Sequence, residues 1–163
     1  MNSSMSSYSI ASPVGLIADT HGLLRDEALV LLQGCELILH LGDVGNKEED
    51  KAILEHLETL APVHCVQGNI DTAAWAGSLP LHQDIMVNDH HLHLVHRLAD
   101  FDPSTPCDAV LHGHSHKPRN ETQSGKLLFN PGAAGKRRFK LPITLGKLWI
   151  DQRGIRGAII HLL

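Results

Sequence analysis

Three times in its first half the chain runs through a short apolar stretch and halts on a polar group suited to chemistry. Val14-Gly-Leu-Ile-Ala18 ends at Asp19, Glu36 to His40 runs into Leu41-Gly-Asp43, and Val63 to Gln67 ends at Gly68-Asn69. Between these runs lie two segments with helical spacing: Arg25 to Gln33, closed by Gly34, and the amphipathic Lys47 to Leu60, closed by Pro62. Strands that alternate with helices pair in parallel, and the loops at the carboxyl ends of parallel strands are where such sheets gather their sites. All three polar clusters fall at such ends.

After Pro80 helical spacing largely disappears. Short β-like runs take over, roughly Gln83 to Val87, His91 to His96, Ala109 to His112, Lys126 to Phe129, Thr144 to Ile150 and Ile155 to His161. The expectation is an α/β first half and a strand-rich second half, packed as one domain over residues 13–163 with helices flanking a sheet-on-sheet core. Residues 1–12 are Ser-rich, without the cationic start or apolar core of a signal peptide, and are expected to form a flexible tail. The chain is long enough, at 163 residues, to bury one sizeable core. No apolar stretch has the length of a membrane span. Cys35, Cys65 and Cys107 lack the spacing of a redox or zinc motif, and their odd number suits a reducing cytoplasm, where they read as small buried hydrophobes. A net charge of -4 argues against bulk nucleic-acid binding, which needs many phosphates neutralised by Lys and Arg.

The compositional oddity is thirteen histidines, seven of them between His90 and His116. Asp19-Thr-His21 is a D-x-H pair, a pattern expected about once by chance in this composition. A second, Asp89-His-His91, lies in a polar stretch that reads as a hairpin turn and is discounted. Placement favours the first, just past a strand. Asp43 follows a glycine that lets backbone approach closely, although alone it could be a helix cap. Asn69 offers a neutral carbonyl ligand or merely forms a G-N turn, and Asp71 either supports that loop or is itself a turn residue. His112-Gly-His114-Ser-His116 is the sharpest signal, since chance predicts only roughly 0.09 occurrences of G-H-x-H. A turn at Gly113 could set His112 apart from the other two. His96 sits where the alternation of His91-Leu-His93-Leu-Val-His96 breaks, at an apparent strand end, whereas His90, His91 and His93 read as exposed or structural. Together these groups form an oxygen and nitrogen ligand set without thiolate, suited to Mn²⁺, Fe²⁺ or Zn²⁺ in a catalytic rather than structural role. Two ions share such a set economically when one carboxylate bridges them at about 3.5 to 4 Å, and the central Asp43 is the natural bridge.

The ordered series D-x-H (Asp19, His21), G-D (Gly42, Asp43), G-N-x-D (Gly68, Asn69, Asp71), His96, G-H-x-H (Gly113, His114, His116) and N-P-G (Asn130, Pro131, Gly132) resembles the calcineurin-like metallophosphoesterase superfamily, and within it the small bacterial and archaeal phosphodiesterases. The resemblance covers Val14 to Leu163. It implies a four-layer α/β/β/α sandwich and two divalent metal ions, Mn²⁺ preferred, with Ni²⁺, Fe²⁺ or Zn²⁺ as alternatives. It also implies a ligand division: Asp19, His21, Asp43 and His116 on one ion, Asp43, Asn69, His96 and His114 on the other. The implied activity is hydrolysis of a phosphate ester, a diester rather than a monoester, by a metal-bridging hydroxide, with Asn69 also holding a phosphoryl oxygen. The substrate would be a small phosphate ester, a nucleotide being one candidate.

Two positions depart from the family pattern. Ile70 stands where many larger members carry the His of G-N-H, thought to protonate the leaving group, so good leaving groups are expected to be favoured. Arg97 follows His96 where the pattern has Gly. The run Lys136-Arg-Arg138 could draw in an anion or be only a solvated face. The rival function is a protein-binding scaffold with weak or no catalysis, because a eukaryotic retromer subunit resembles this fold and serves that way. A nuclease is disfavoured by the lack of a basic face and of extra domains.

Overall fold

The structure is a computed structural model that describes residues 5–163. Strands β2 (Val14–Ile17), β3 (Leu37–His40) and β4 (Val63–Cys65) pair in parallel, as the alternation of strands and helices requires. On the other side of β2 the sheet is extended by β10 (Thr144–Asp151), antiparallel, and then by β11 (Gly154–His161). The crossovers carry helix α1 (Asp26–Leu32) and helix α2 (Lys51–Glu58), the latter entered through a 3-10 turn at Glu48–Asp50.

The second sheet has six strands: β1 (Ser6–Tyr8), β5 (His82–Val87), β6 (His90–Val95), β7 (Ala109–Leu111), β8 (Arg119–Gln123) and β9 (Lys126–Asn130), in the order β1-β5-β6-β7-β9-β8. Asn88 and Asp89 both adopt positive φ and form the two-residue turn between β5 and β6, so the discounted second D-x-H pair is a hairpin tip.

The period of two sorts the strand residues between faces. Leu16, Leu37 and Leu39 of the first sheet pack with Ile85, Leu92, Leu94, Leu111 and Phe129 of the second. Ile17, Ile38 and Cys65 point the other way, into α1 and α2, where Leu32, Ile53 and Leu57 meet them. Burying each such side chain contributes on the order of 2 kcal/mol. The far face of the six-stranded sheet is covered more thinly: Val95, Val110 and Leu128 pack beneath Leu98, Phe101 and Cys107. Cys35 and Cys65 are buried free thiols, and Cys107 is half-buried. No helix among the described residues is long and apolar enough to cross a membrane.

The N-terminal segment differs from the expected flexible tail. Residues 1–4 lie outside the described residues, but Ser6–Tyr8 pairs in parallel with β5, setting Ser6 against Ile85 and Tyr8 against Val87. Tyr8 Oη lies 2.6 Å from His64 Nε2, and Ile10 exchanges two 2.9 Å hydrogen bonds with the Asn88 side chain. The open edge of β5 offers unpaired backbone groups, and a serine-rich strand can satisfy them as well as an apolar one. Strand β8 was also missed, because Arg-Asn-Glu-Thr-Gln carries no apolar period.

Candidate metal centre

Every candidate ligand leaves a strand end, and the loops that carry them are locked to one another. Asp19 N–H donates to Gly42 O, His21 N–H to Asp43 O, and Gly113 N–H to His96 O. Asp71 settles between its two readings: Oδ2 accepts from the N–H groups of Asp43 (2.9 Å) and Gly68 (2.7 Å), and Oδ1 from Gly45 (3.1 Å). It therefore clamps the Asp43 and Asn69 loops together. Close approach dictates the glycines here. A Cβ on Gly42 would lie 2.5 Å from His96 Nδ1, and one on Gly68 only 2.2 Å from Asp43 N. Asn130 donates to Gly113 O and to Ser115 Oγ, both at 3.1 Å, so the N-P-G motif braces the turn bearing His114 and His116.

Five of the seven candidate ligands hold positive φ: Asp19 (53°), His21 (46°), Asp43 (59°), His114 (73°) and His116 (64°). That conformation is strained for residues with a Cβ and persists only where the surroundings over-determine it. It turns the side chains into one place. Asp19, His21 and His116 bring ligand atoms within 4.8 Å of one another, as do Asp43, His96 and His114. Asp43 Oδ2 lies between the trios, 3.4 Å from His21 Nε2 and 3.2 Å from His96 Nε2. Asn69 Oδ1 faces His96 Nε2 at 3.1 Å and His114 Nδ1 at 3.2 Å. Ligands about 2.1 Å from a cation stand roughly 3.0 to 3.4 Å apart, close to these separations. Asp19 Oδ1 and His21 Nε2 are buried without a hydrogen-bond partner, a costly arrangement that a cation would relieve. The donor set fits a pair of divalent ions.

The electrostatics follow from this crowding. Burial pushes the Asp19 carboxyl up to about 7, with the Asp43 charge adding to it and the cationic character of His96 and His21 opposing. Burial acts on Asp43 in the same sense, but the imidazoles of His21 and His96, 3.4 and 3.2 Å from its Oδ2, outweigh it and hold that carboxyl below its usual range. Burial works against the charged form of His96, yet Asp43 and Asp19 raise its pKa above the ordinary value. Burial, with the Arg138 charge next, lowers His116 to about 4. Burial and then His96 lower His114 as well, so both imidazoles favour the neutral form that ligates metal. His96 Nδ1–H donates to Leu41 O at 2.7 Å, which fixes the tautomer and aims Nε2 at Asp43 and Asn69.

Sequence reasoning missed His40. It is wholly buried, accepts from Gly42 N–H at Nδ1, and lies 3.1 Å from Thr20 Oγ1, which itself donates to Val44 O. This chain props the segment between Asp19 and His21. Nothing in the sequence distinguishes His40 from an ordinary strand residue. His112 stays outside both trios, buried with Nε2 unpartnered.

Residues 13–153 match the calcineurin-like phosphoesterase superfamily domain. The chain belongs to that superfamily. It is 30% identical over 163 residues to a probable metallophosphoesterase of Methanothermobacter thermautotrophicus, covering 91% of each chain. Among solved structures it shares the fold of a novel archaeal phosphodiesterase, with a TM-score of 0.73 at 20% identity over 91% of this chain and 99% of that one. It also shares the fold of Vps29 from Entamoeba histolytica in complex with Zn²⁺, with a TM-score of 0.68 at 20% identity over 93% and 99%.

Both departures from the superfamily pattern now have a structural account. Ile70 is held by its own N–H, which donates to Asp43 Oδ1 at 3.0 Å, so the position serves the loop through its backbone. Arg97 has φ -110° and ψ 126°, open to any residue, and its exposed guanidinium turns to Asp100 at 3.2 Å. His96 keeps its contacts beside it.

Proposed function

We propose that this superfamily member is a two-metal phosphodiesterase. The observation that carries the reading is the five strained ligand backbones converging on one place, with Asp43 Oδ2 between the two trios. Asp19, His21, Asp43 and His116 would hold one ion, and Asp43, Asn69, His96 and His114 the other, with Mn²⁺ preferred. The ions supply Lewis-acid neutralisation of phosphoryl charge and a lowered pKa for water. The remaining roles belong to the protein. Asn69 turns Oδ1 to the imidazoles, leaving its amide N–H groups to donate to a phosphoryl oxygen. Asp71 and Asn130 hold the loops in register, and ligands on strand ends are kept accurately placed. Ile70 offers no proton to the leaving group, which favours diesters with good leaving groups over alkyl monoesters.

The reading includes the four-layer sandwich, its fourth layer being the thin cover over Val95, Val110 and Leu128. It places one domain over residues 13–163, in the cytoplasm, acting on a small phosphate ester such as a nucleotide. The five strained ligand positions and the buried polar atoms without partners favour metal binding, which catalysis requires and a protein-binding scaffold of the same fold does not. The test is hydrolysis of bis-p-nitrophenyl phosphate and p-nitrophenyl phosphate by metal-stripped protein with Mn²⁺, Ni²⁺, Zn²⁺ or Mg²⁺ restored, Asp43→Asn serving as control. Metal-dependent turnover that favours the diester is expected. Two bound ions with no turnover on either ester would move the assignment to the scaffold.

A further inference from the structure

The turn at Arg138–Leu141 breaks two rules at once. It is closed by Leu141 N–H donating to Arg138 O at 3.2 Å and steadied by Arg137 Nη1 donating to Leu141 O, also at 3.2 Å. Phe139 occupies its first central position with φ 55°, where Gly or Asn normally sits and a bulky aromatic is strained. The residue is 86% exposed. Neither local conformation nor packing accounts for a phenylalanine there, and such strain gathers where a ligand is met.

Its surroundings identify the ligand. Phe139 lines a cavity of about 790 Å³ with Ser115, Lys117, Arg138, Lys140 and Leu141. Ser115 and Lys117 belong to the loop that carries the candidate ligands His114 and His116, so the cavity is walled in part by that loop. Lys117, Arg138 and Lys140 line the same cavity as the ring and give it three cations, complementary to a phosphate-bearing molecule. We propose that Phe139 is a stacking platform for one arm of the substrate, and that the substrate is a phosphodiester carrying a planar aromatic group such as a nucleobase. The proposal rests on the phosphodiesterase reading and narrows its substrate class. Every base has a face to stack, so one exposed ring selects aromatic arms without selecting among bases.

The test compares Mn²⁺-loaded wild type, Phe139→Gly and Phe139→Trp on p-nitrophenyl thymidine 5′-phosphate and methyl p-nitrophenyl phosphate. The readout is the ratio of kcat/KM between the two esters, because they share a leaving group. Wild type should prefer the thymidine ester, the ratio should fall about tenfold in Phe139→Gly, and Phe139→Trp should keep it. Glycine relieves the positive φ, so Phe139→Gly should melt no lower than wild type. A drop of several degrees would make Phe139 a packing residue and overturn the proposal, as would a ratio unchanged within about twofold. If neither ester is hydrolysed, the phosphodiesterase reading fails on its own account. The platform is then judged by NMR titration with dithymidine phosphorothioate: upfield base-proton shifts lost in Phe139→Gly support it, and their absence in wild type overturns it. Phe139-dependent cosedimentation with phosphatidylserine vesicles would assign the turn to a membrane surface instead, and also overturns it.

Discussion

The two halves of the candidate centre are built differently. Around Asp43, Asn69, His96 and His114 nearly every ligand is already held: His96 by Leu41 O, Asp43 by Ile70 N–H, and Asn69 against both imidazoles. Around Asp19, His21 and His116, by contrast, Asp19 Oδ1 and His21 Nε2 are buried without hydrogen bonds. The first half keeps its geometry through the protein alone. The second carries unsatisfied groups that cost about 1 to 3 kcal/mol each until a cation meets them. Pre-organisation and metal-dependent stability are thus divided between the halves, with Asp43 Oδ2 joining them.

That division breaks if Asp43 can be weakened without harm to both halves. Asp43→Asn should lower metal-dependent hydrolysis at least about a hundredfold, since losing even an outer partner of a ligand costs 10- to 100-fold. Elemental analysis should find both ions depleted together. Retention of one full equivalent would show that Asp43 serves a single half.

The half containing Asp19 also leans on His40, and acid should expose this. Burial lowers His40 to about 3, with the charges of His96 and His21 acting in the same sense and Asp43 against. An unfolded His titrates near 6.5, so the unfolded state binds more protons between those values. The contribution is complete above about 6.5 and is lost as pH falls towards 3. At pH 4.5 it has lost about 2 to 3 kcal/mol relative to pH 7. Urea unfolding of chelator-treated protein at the two pH values should show that loss, and His40→Gln should shrink the difference even if its absolute stability is lower. An unchanged difference would remove His40 from the acid limb.

A smaller effect sharpens the contrast directly. Because burial lifts Asp19 to about 7, its ionised form is held at a cost, and a neutral isostere should suit the metal-free fold better. Chelator-treated Asp19→Asn should melt about 5 °C above chelator-treated wild type, while gaining much less on addition of Mn²⁺. Asn69→Ala, in the half the protein already holds, should show no such gain without metal. Equal responses would mean that the two halves are not different in kind.

Which parts were legible in the sequence follows from the same physics. Strands that end on chemistry announce themselves, because Asp or Asn at the end of an apolar run adds nothing to the core it follows, and seven candidate ligands came from that pattern and the family resemblance. Strands that only complete a sheet do not: Ser6–Tyr8 and Arg119–Gln123 lie at sheet edges, where backbone pairing suffices and no apolar period is needed. Supporting residues were half visible. Asp71 could be suspected from its place after Asn69, whereas the role of His40 depends on Thr20 and Gly42 arriving from loops that sequence spacing does not bring together.

Arg97 is the position where sequence and structure pull hardest against each other, and the expected effect there is the smallest. A family pattern with Gly after the histidine suggests a backbone that tolerates nothing larger. Here the backbone is extended at φ -110°, and the side chain leaves the centre for Asp100. That pair is about half exposed on both sides, so it contributes little once solvent screening is counted. Arg97→Gly should therefore change unfolding free energy by no more than about 1 kcal/mol and leave two ions bound per chain. The decisive reading is metal content, because His96 is held by Leu41 O and Asn69 and not by its neighbour in sequence. Loss of one ion in Arg97→Gly would mean that the arginine, and not the loop beneath it, keeps His96 in place.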